Sequence, residues 1–464
     1  MEERIVLYPS PGIGHIISMV ELAKHLLKQN HHHYSITLFL TTGFLDHPSI
    51  DSYINSISTS HPSISFLRLP FLPSSAASTT VSFAATAFEF IRNNADNVAS
   101  SLNEICESCV VKGFVIDMFC TSALSVGCCM GIPVYYFFTS GAAALALCCY
   151  LPKIHHQTNH SFKDLQDELQ IPGNAPLKAF HMPEPVLDRN DAAYWDMLYF
   201  CKHLPKSNGI IVNSFEELEP FAVKAIKEGL SFPDPTQIPP IYYIGPLIAE
   251  ANDPSDKQNS GVETNSYLSW LKNQPKRSVI YLCFGSRGSF SITQLKEIAN
   301  GLEKSEQRFL WVVKTPTQDE GTKQVHDTTT EFNLSSVLPN GFLDRTKNKG
   351  IVVRSWVPQV EVLSHESVGG FVSHCGWNSV LEEQHVNRNV MVDEMKVAIG
   401  VEQREKDGFV SEEEVERKVR ELMESEKGRE IRQRSLKIKD MALGAIGEFG
   451  SSTRALGKLV EAWN

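Results

Sequence analysis

Residues 356–384 read WVPQVEVLSHESVGGFVSHCGWNSVLEEQ, running from Trp356 to Gln384. At the centre, Val368-Gly-Gly-Phe-Val-Ser-His-Cys-Gly-Trp-Asn-Ser places a short apolar strand before a His/Gly turn and a helix start. Asn378 or Ser379 can cap that helix, since a side-chain oxygen there accepts from one of the otherwise unpaired N–H groups. A helix N-terminus that follows a strand in an α/β sheet is a place to hold phosphate, because its N–H groups and dipole favour an anion. His374 and Ser379 add side-chain donors at the same spot.

Working outward, strands and helices alternate on both sides of this stretch. The first half reads as strands at Ile5–Tyr8, Tyr34–Leu40, Ile64–Leu69, Gly113–Ile116, Val134–Phe138 and Gly209–Asn213. Helical periodicity lies between them, at Ile16–Lys28, Ala87–Cys106 and Thr121–Met130. Residues 245–265 are rich in Pro, Asn, Ser, Asp and Gly and read as a linker. The alternation restarts at Ser278–Phe284, Phe309–Val313, Ile351–Arg354 and Gly369–Ser373, and the tail from Ser411 is charged and helical. This pattern predicts parallel sheets covered by helices. The expected division is an N-terminal domain over 1–244, a linker over 245–265 and a C-terminal domain over 266–464. Two α/β halves imply a cleft with ligands at the strands' C-terminal ends.

Composition narrows the class. Hydrophobic content of 42% supports large cores, and a net charge of −11 with no basic stripe argues against a nucleic-acid partner. An acidic chain that takes an anionic nucleotide must hold it with local dipoles and a few donors. The ten cysteines are scattered, several in apolar runs where a thiol acts as a small hydrophobe. Cys106-x-x-Cys109 has no second pair, so no zinc site is expected. The acidic N-terminus lacks the pattern of a signal peptide, and no apolar run is long enough to span a bilayer. A cytoplasmic monomer with no transmembrane segment is expected.

Two residues of the first half carry chemistry. His15 ends the turn Pro9-Ser-Pro-Gly-Ile-Gly after the first strand, a position suited to ligand contact. The turn lacks GxGxxG spacing, which disfavours an NAD(P)-dependent oxidoreductase. Asp117 ends the apolar strand Phe114-Val-Ile-Asp, where a carboxylate is costly unless paired. As a pair, the imidazole would act as base and the carboxylate as its orienter. Read alone, each is also explained as a helix cap or loop residue.

The Trp356–Gln384 stretch resembles the sugar-nucleotide signature of plant secondary-product UDP-glycosyltransferases. The likeness covers nearly the whole chain. It includes Phe138-Thr139-Ser140, the Phe284-Gly285-Ser286 turn, the run Ser305-Glu-Gln-Arg-Phe-Leu-Trp-Val-Val and Trp356-Val-Pro-Gln359. The resemblance implies a GT-B architecture, two Rossmann-like domains facing a cleft. It implies inverting transfer of a hexose, glucose foremost, from a UDP-sugar co-substrate to a hydroxyl of a small phenol such as a flavonoid. No metal or further cofactor is required.

By the same resemblance, His15 deprotonates the acceptor and Asp117 holds it. Trp356 stacks on uracil, and Gln359 meets the uridine. His374 and Ser379 lie with the phosphates, and Thr139, Ser286 and Val357 also bind the UDP-sugar. Trp377 and Asn378 lie beside the sugar, Glu382 takes the ribose hydroxyls, and Glu383-Gln384 takes the sugar. Phe83, Phe119, Phe138 and Phe200 are candidate acceptor-pocket walls. One departure stands out: the family's stretch between the first glutamate and the closing Glu-Gln is missing, since Glu382 runs straight into Glu383-Gln384. The C-terminal sheet is therefore expected to lack one strand, with Asn378–Met395 able to run as a single helix. A second reading follows, a catalytically impaired truncated or splice form that acts by binding.

Overall fold

The computed structural model describes residues 2–29, 34–47, 49–73, 82–248, 262–285, 288–317, 332–354, 357–377 and 384–463. Ser286, Trp356, Asn378, Ser379, Glu382 and Glu383 lie outside the described residues, as does the side chain of Gln384.

Contacts divide the chain into two units. One comprises Met1–Ala249, Trp377–Glu394 and Ile438–Asn464; the other Glu250–Gly376 and Met395–Lys437. By contacts, two stretches of the span expected as the second domain, 266–464, therefore group with the first. For the tail the reason is burial: Leu456, Leu459, Val460 and Trp463 are part of the first unit's core.

The first unit is built on β1 (Glu2–Tyr8), β2 (Ser35–Leu40), β3 (Ile64–Arg68), β4 (Cys109–Asp117) and β5 (Val134–Phe138). A two-stranded hairpin, β6 (Glu168–Leu169) with β7 (Leu177–Lys178), precedes β8 (Gly209–Val212) and β9 (Ile241–Tyr243). The main sheet runs β3-β2-β1-β4-β5-β8-β9, all parallel. Its inner strands are continuous hydrophobic runs: every residue of β5 and β8 is buried. That is the signature of strands covered on both faces. Chain order reverses between β1 and β4, which places a switch point at their carboxyl ends.

The second unit repeats the plan with β10 (Val279–Leu282), β11 (Arg308–Val313), β12 (Gly350–Arg354) and β13 (Val368–Val372), ordered β12-β11-β10-β13 and parallel. Its switch point lies between β10 and β13. Among the described residues β13 is an edge strand with no partner on its outer side. It is also only half-buried along its length, unlike β10, which is wholly buried. A strand in the middle of a covered sheet would not show that exposure.

Two expected helices differ. The single helix over Ala87–Cys106 is two, Phe83–Asn93 and Ala95–Ser108. Asn94 is fully buried between them and donates from its side chain to the Phe90 carbonyl at 3.0 Å, offering the backbone an alternative partner. Of the single helix over Asn378–Met395, the described part is Gln384–Asn389 followed by π-helical Val390–Glu394. No helix among the described residues is long and apolar enough to cross a membrane.

Candidate active site

In the first unit the site forms at the switch point. Gly12, at φ +110°, turns the chain sharply out of β1 and into the helix Ile13–Lys28. His15 therefore lies in that helix's first turn, and its side chain is 4% exposed. Asp117 is the last residue of β4, adjacent to β1, and is wholly buried. Its Oδ2 stands 2.8 Å from His15 Nδ1. Its Oδ1 accepts from the Phe119 backbone N–H at 3.1 Å. With Asp117 as acceptor, Nδ1 carries the proton and Nε2 keeps its lone pair. Burial pushes the Tyr8 phenol and the Cys120 thiol beside Asp117 well above their ordinary values, so both stay neutral. The imidazole is thus the proton acceptor of this corner, and the arrangement is that of a general base with its orienter.

Aromatic rings surround it. Phe119 meets His15 edge-on at 5.7 Å, and Phe88 and Phe200 flank Phe119 at 5.8 and 6.4 Å. Of the four phenylalanines expected as walls, Phe119 and Phe200 come to this cluster. Phe83 instead stacks on Phe44, and Phe138 is fully buried within β5. Phe88 was not apparent in the sequence, where it is one aromatic in an apolar helix. Thr139, just beyond β5, is buried with its hydroxyl directed at the Met118 sulfur.

The second unit carries its own switch-point histidine. His374 follows β13, and Gly285, at φ +78°, follows β10. The two are pressed together: a Cβ on Gly285 would fall 2.5 Å from the His374 ring. Burial, then the charge of Lys314, holds the His374 imidazole below its ordinary range, which makes it a neutral donor at pH 7. Lys314 follows directly on β11 and is itself lowered by burial. Its signal in the sequence was a lone lysine closing an apolar strand. Gln359 is exposed at the start of the helix Gln359–Ser364, whereas the Val357 side chain is in the core with Leu310 and Val353. Trp377 groups with the first unit, where its Nε1 donates to the Asn213 carbonyl at 3.0 Å. Among the described residues no group of three His, Cys, Asp or Glu could hold a metal ion.

A buried His–Asp pair at one switch point, and a glycine packed against a neutral imidazole at another, suit a group-transfer enzyme of the two-Rossmann type. The family model described as "UDP-glucoronosyl and UDP-glucosyl transferase" matches residues 212–388. The chain is 57% identical to UDP-glycosyltransferase 88F3 of Pyrus communis, and the match covers 100% of each chain. It is 56% identical to a phloretin 2'-O-glucosyltransferase of Malus domestica, again over 100% of each. Among solved structures, a UDP-glucosyltransferase of Polygonum tinctorium superposes with a TM-score of 0.87 at 32% identity, covering 100% of this chain and 99% of that one. Medicago truncatula UGT71G1 complexed with UDP-glucose gives 0.84 at 31% identity, covering 100% and 98%. The chain belongs to the plant UDP-glycosyltransferases, and its fold is GT-B. The alignment with the Pyrus protein spans 484 positions for the 464 residues here, so at least 20 positions carry no residue of this chain.

Proposed function

We propose that this protein transfers a hexose, glucose foremost, from a UDP-sugar to a hydroxyl of a small phenol, with inversion at the anomeric carbon. The observation that carries the reading is the 2.8 Å contact between His15 and Asp117, both buried, at the first unit's switch point. In the reaction His15 Nε2 takes the acceptor proton while the acceptor oxygen forms a bond to the anomeric carbon. The bond from that carbon to the UDP oxygen breaks, and UDP leaves with the electron pair. Asp117 stabilises the imidazolium that forms. The first unit would hold the acceptor against Phe119 and Phe200. The nucleotide would be held by His374 and Ser379 on the phosphates, Trp356 and Gln359 on the uridine, and Glu382 on the ribose. Glu383 and Gln384 would take the sugar.

The named relatives that glucosylate phloretin and anthocyanidins support a flavonoid-type acceptor. Ten scattered cysteines, several of them buried, fit a reducing compartment, and the proposal takes the protein to be a cytoplasmic monomer. The test is turnover of UDP-α-glucose with a panel of flavonoids and dihydrochalcones, the product's anomeric configuration read by NMR. A β-glucoside formed by the parent and abolished by His15→Ala is expected. An α-linked product, or full turnover by His15→Ala, would refute it.

Two observations favour a second reading. The outer edge of β13, open among the described residues, and the surplus alignment positions support an impaired form that binds UDP-sugar without efficient transfer. UDP binding by calorimetry without turnover on any acceptor would select it.

A further inference from the structure

Asp117 uses both carboxylate oxygens, and the second of them leads to one residue. Oδ2 meets His15, while Oδ1 accepts from the backbone N–H of Phe119, two residues on, closing a tight turn after β4. The backbone there is fixed further by the Cys120 N–H to the Asp117 carbonyl at 2.8 Å and the Met118 N–H to Phe137 at 3.0 Å. The same Phe119 turns its ring back onto His15, edge to face at 66°. That ring is 5% exposed. Phe88, from the helix Phe83–Asn93, packs on it at 79°, and Phe200, from the helix Ala192–His203, at 59°. Phe200 is braced in turn by Tyr136 of β5 at 5.9 Å. One residue therefore touches both members of the pair, the carboxylate through its N–H and the imidazole through its ring.

We infer that Phe119 is a positioning residue for the transfer, locking the plane of the His15 imidazole onto Asp117, and that it is more than a wall of the acceptor pocket. The physical reason is that a histidine in a helix's first turn has two soft side-chain torsions. The Asp117 bond holds one nitrogen, and a flat, buried edge against the imidazole further restricts rotation about that bond at little entropic cost, because Phe119 is itself held on two sides. The inference rests on His15 being the base, as proposed above.

The experiment pairs Phe119→Ala with Phe119→Leu, and each with His15→Ala as reference. kcat, the KM for UDP-glucose, the KM for acceptor and the pH dependence of kcat are measured. In the absence of both substrates, the His15 imidazole is titrated by NMR. For Phe119→Ala, kcat is expected to fall by roughly 10- to 100-fold, the scale of a misplaced catalytic group. The KM for UDP-glucose should stay constant. The His15 titration and the acid limb of kcat should both move to lower pH by about one unit, as the bond to Asp117 loosens. Phe119→Leu keeps the bulk and the N–H and should show the same shift in smaller measure; it carries the test if Phe119→Ala does not fold. A rise in acceptor KM alone, with the titration and the pH limb unmoved, would overturn the inference and leave Phe119 as a wall. Activity retained by His15→Ala would instead overturn the proposed function, and the two failures are thereby told apart.

Discussion

Gly285 and His374, from strands that neighbour each other in the second sheet, stand so close that a methyl group on the glycine would lie 2.5 Å from the imidazole Cε1. The glycine also sits at φ +78°, a region L side chains rarely adopt. Gly285→Ala should therefore push His374 out of place and strain the turn by about 1–3 kcal/mol. The expected outcome is a UDP affinity at least tenfold weaker, measured by calorimetry, with uridine affinity nearly unchanged because the lost contact is to phosphate. Equal UDP affinities would show that His374 plays no part in holding the diphosphate.

Asp117→Asn keeps the shape of the orienter and removes its charge. The imidazolium formed on proton transfer then lacks its counter-charge, and the amide can present an N–H where an acceptor is needed. A fall in kcat of about 10²–10⁴ is expected, with UDP binding unaltered. Steady-state kinetics with a phenolic acceptor checks it, and a variant within twofold of the parent would remove Asp117 from the mechanism.

Glu394 gives a pH dependence with a defined sign. Its carboxyl is pushed up to about 7, first by burial and then by Glu219, with Asp393 adding to the repulsion and the Ala175 N–H opposing it. Glu219 is itself buried, taking the Ala142 and Ala143 N–H groups at the start of the helix Ala142–Gln157. The folded value of Glu394 lies above the ordinary 4.5, so the folded state binds more protons between those pH values. Stability from this group is complete below about 4.5 and is lost as pH rises through 7. Glu394→Gln should raise the melting temperature relative to the parent at pH 8 and lose most of that advantage at pH 5. An offset of the same size at both pH values would contradict the assignment.

The outer edge of β13, open among the described residues, yields a prediction about the stretch expected to be missing. Phe371 on that strand is 36% exposed although it stacks on buried Tyr281. Inserting, between Glu382 and Glu383, the stretch that the family's signature implies there should supply a strand for that edge and re-aim Gln384. The expected result is a higher melting temperature and higher UDP-glucose turnover than the present chain. Side-by-side melts and kinetics check it; identical values for both forms would mean that the sheet closes without the insert.

The strands' places along the chain were largely legible because buried parallel strands are continuous apolar runs; Val134–Phe138 was readable to the residue. His15 and Asp117 stood out by position, yet each alone was equally explained as a cap or loop residue; the family resemblance gave them their weight, and their 2.8 Å contact is seen only in the fold. The break at Asn94 was not legible, since an asparagine inside an amphipathic run signals nothing until its buried bond to Phe90 is seen. Nor was the grouping of Ser451–Glu461 with the first unit. Its apolar stripe says that the helix is buried on one side and is silent about which sheet buries it. Trp356, Ser286 and the Asn378–Glu383 run lie outside the described residues, so their roles rest on the proposal.

Trp463 sets a constraint on the order of biosynthesis. Its indole lies against β4 so closely that a Cβ on Gly113 would fall 2.7 Å from Nε1, and it meets the Tyr135 ring of β5 at 5.6 Å. Those strands lie in the first third of the sequence, yet the side chain that seals them lies far beyond them along the chain. The unit bearing His15 and Asp117 therefore stays unsealed during synthesis until the segment carrying Trp463 has been made. A lesion such as Trp463→Ala would then damage the first unit, although the second unit is the nearer one in sequence.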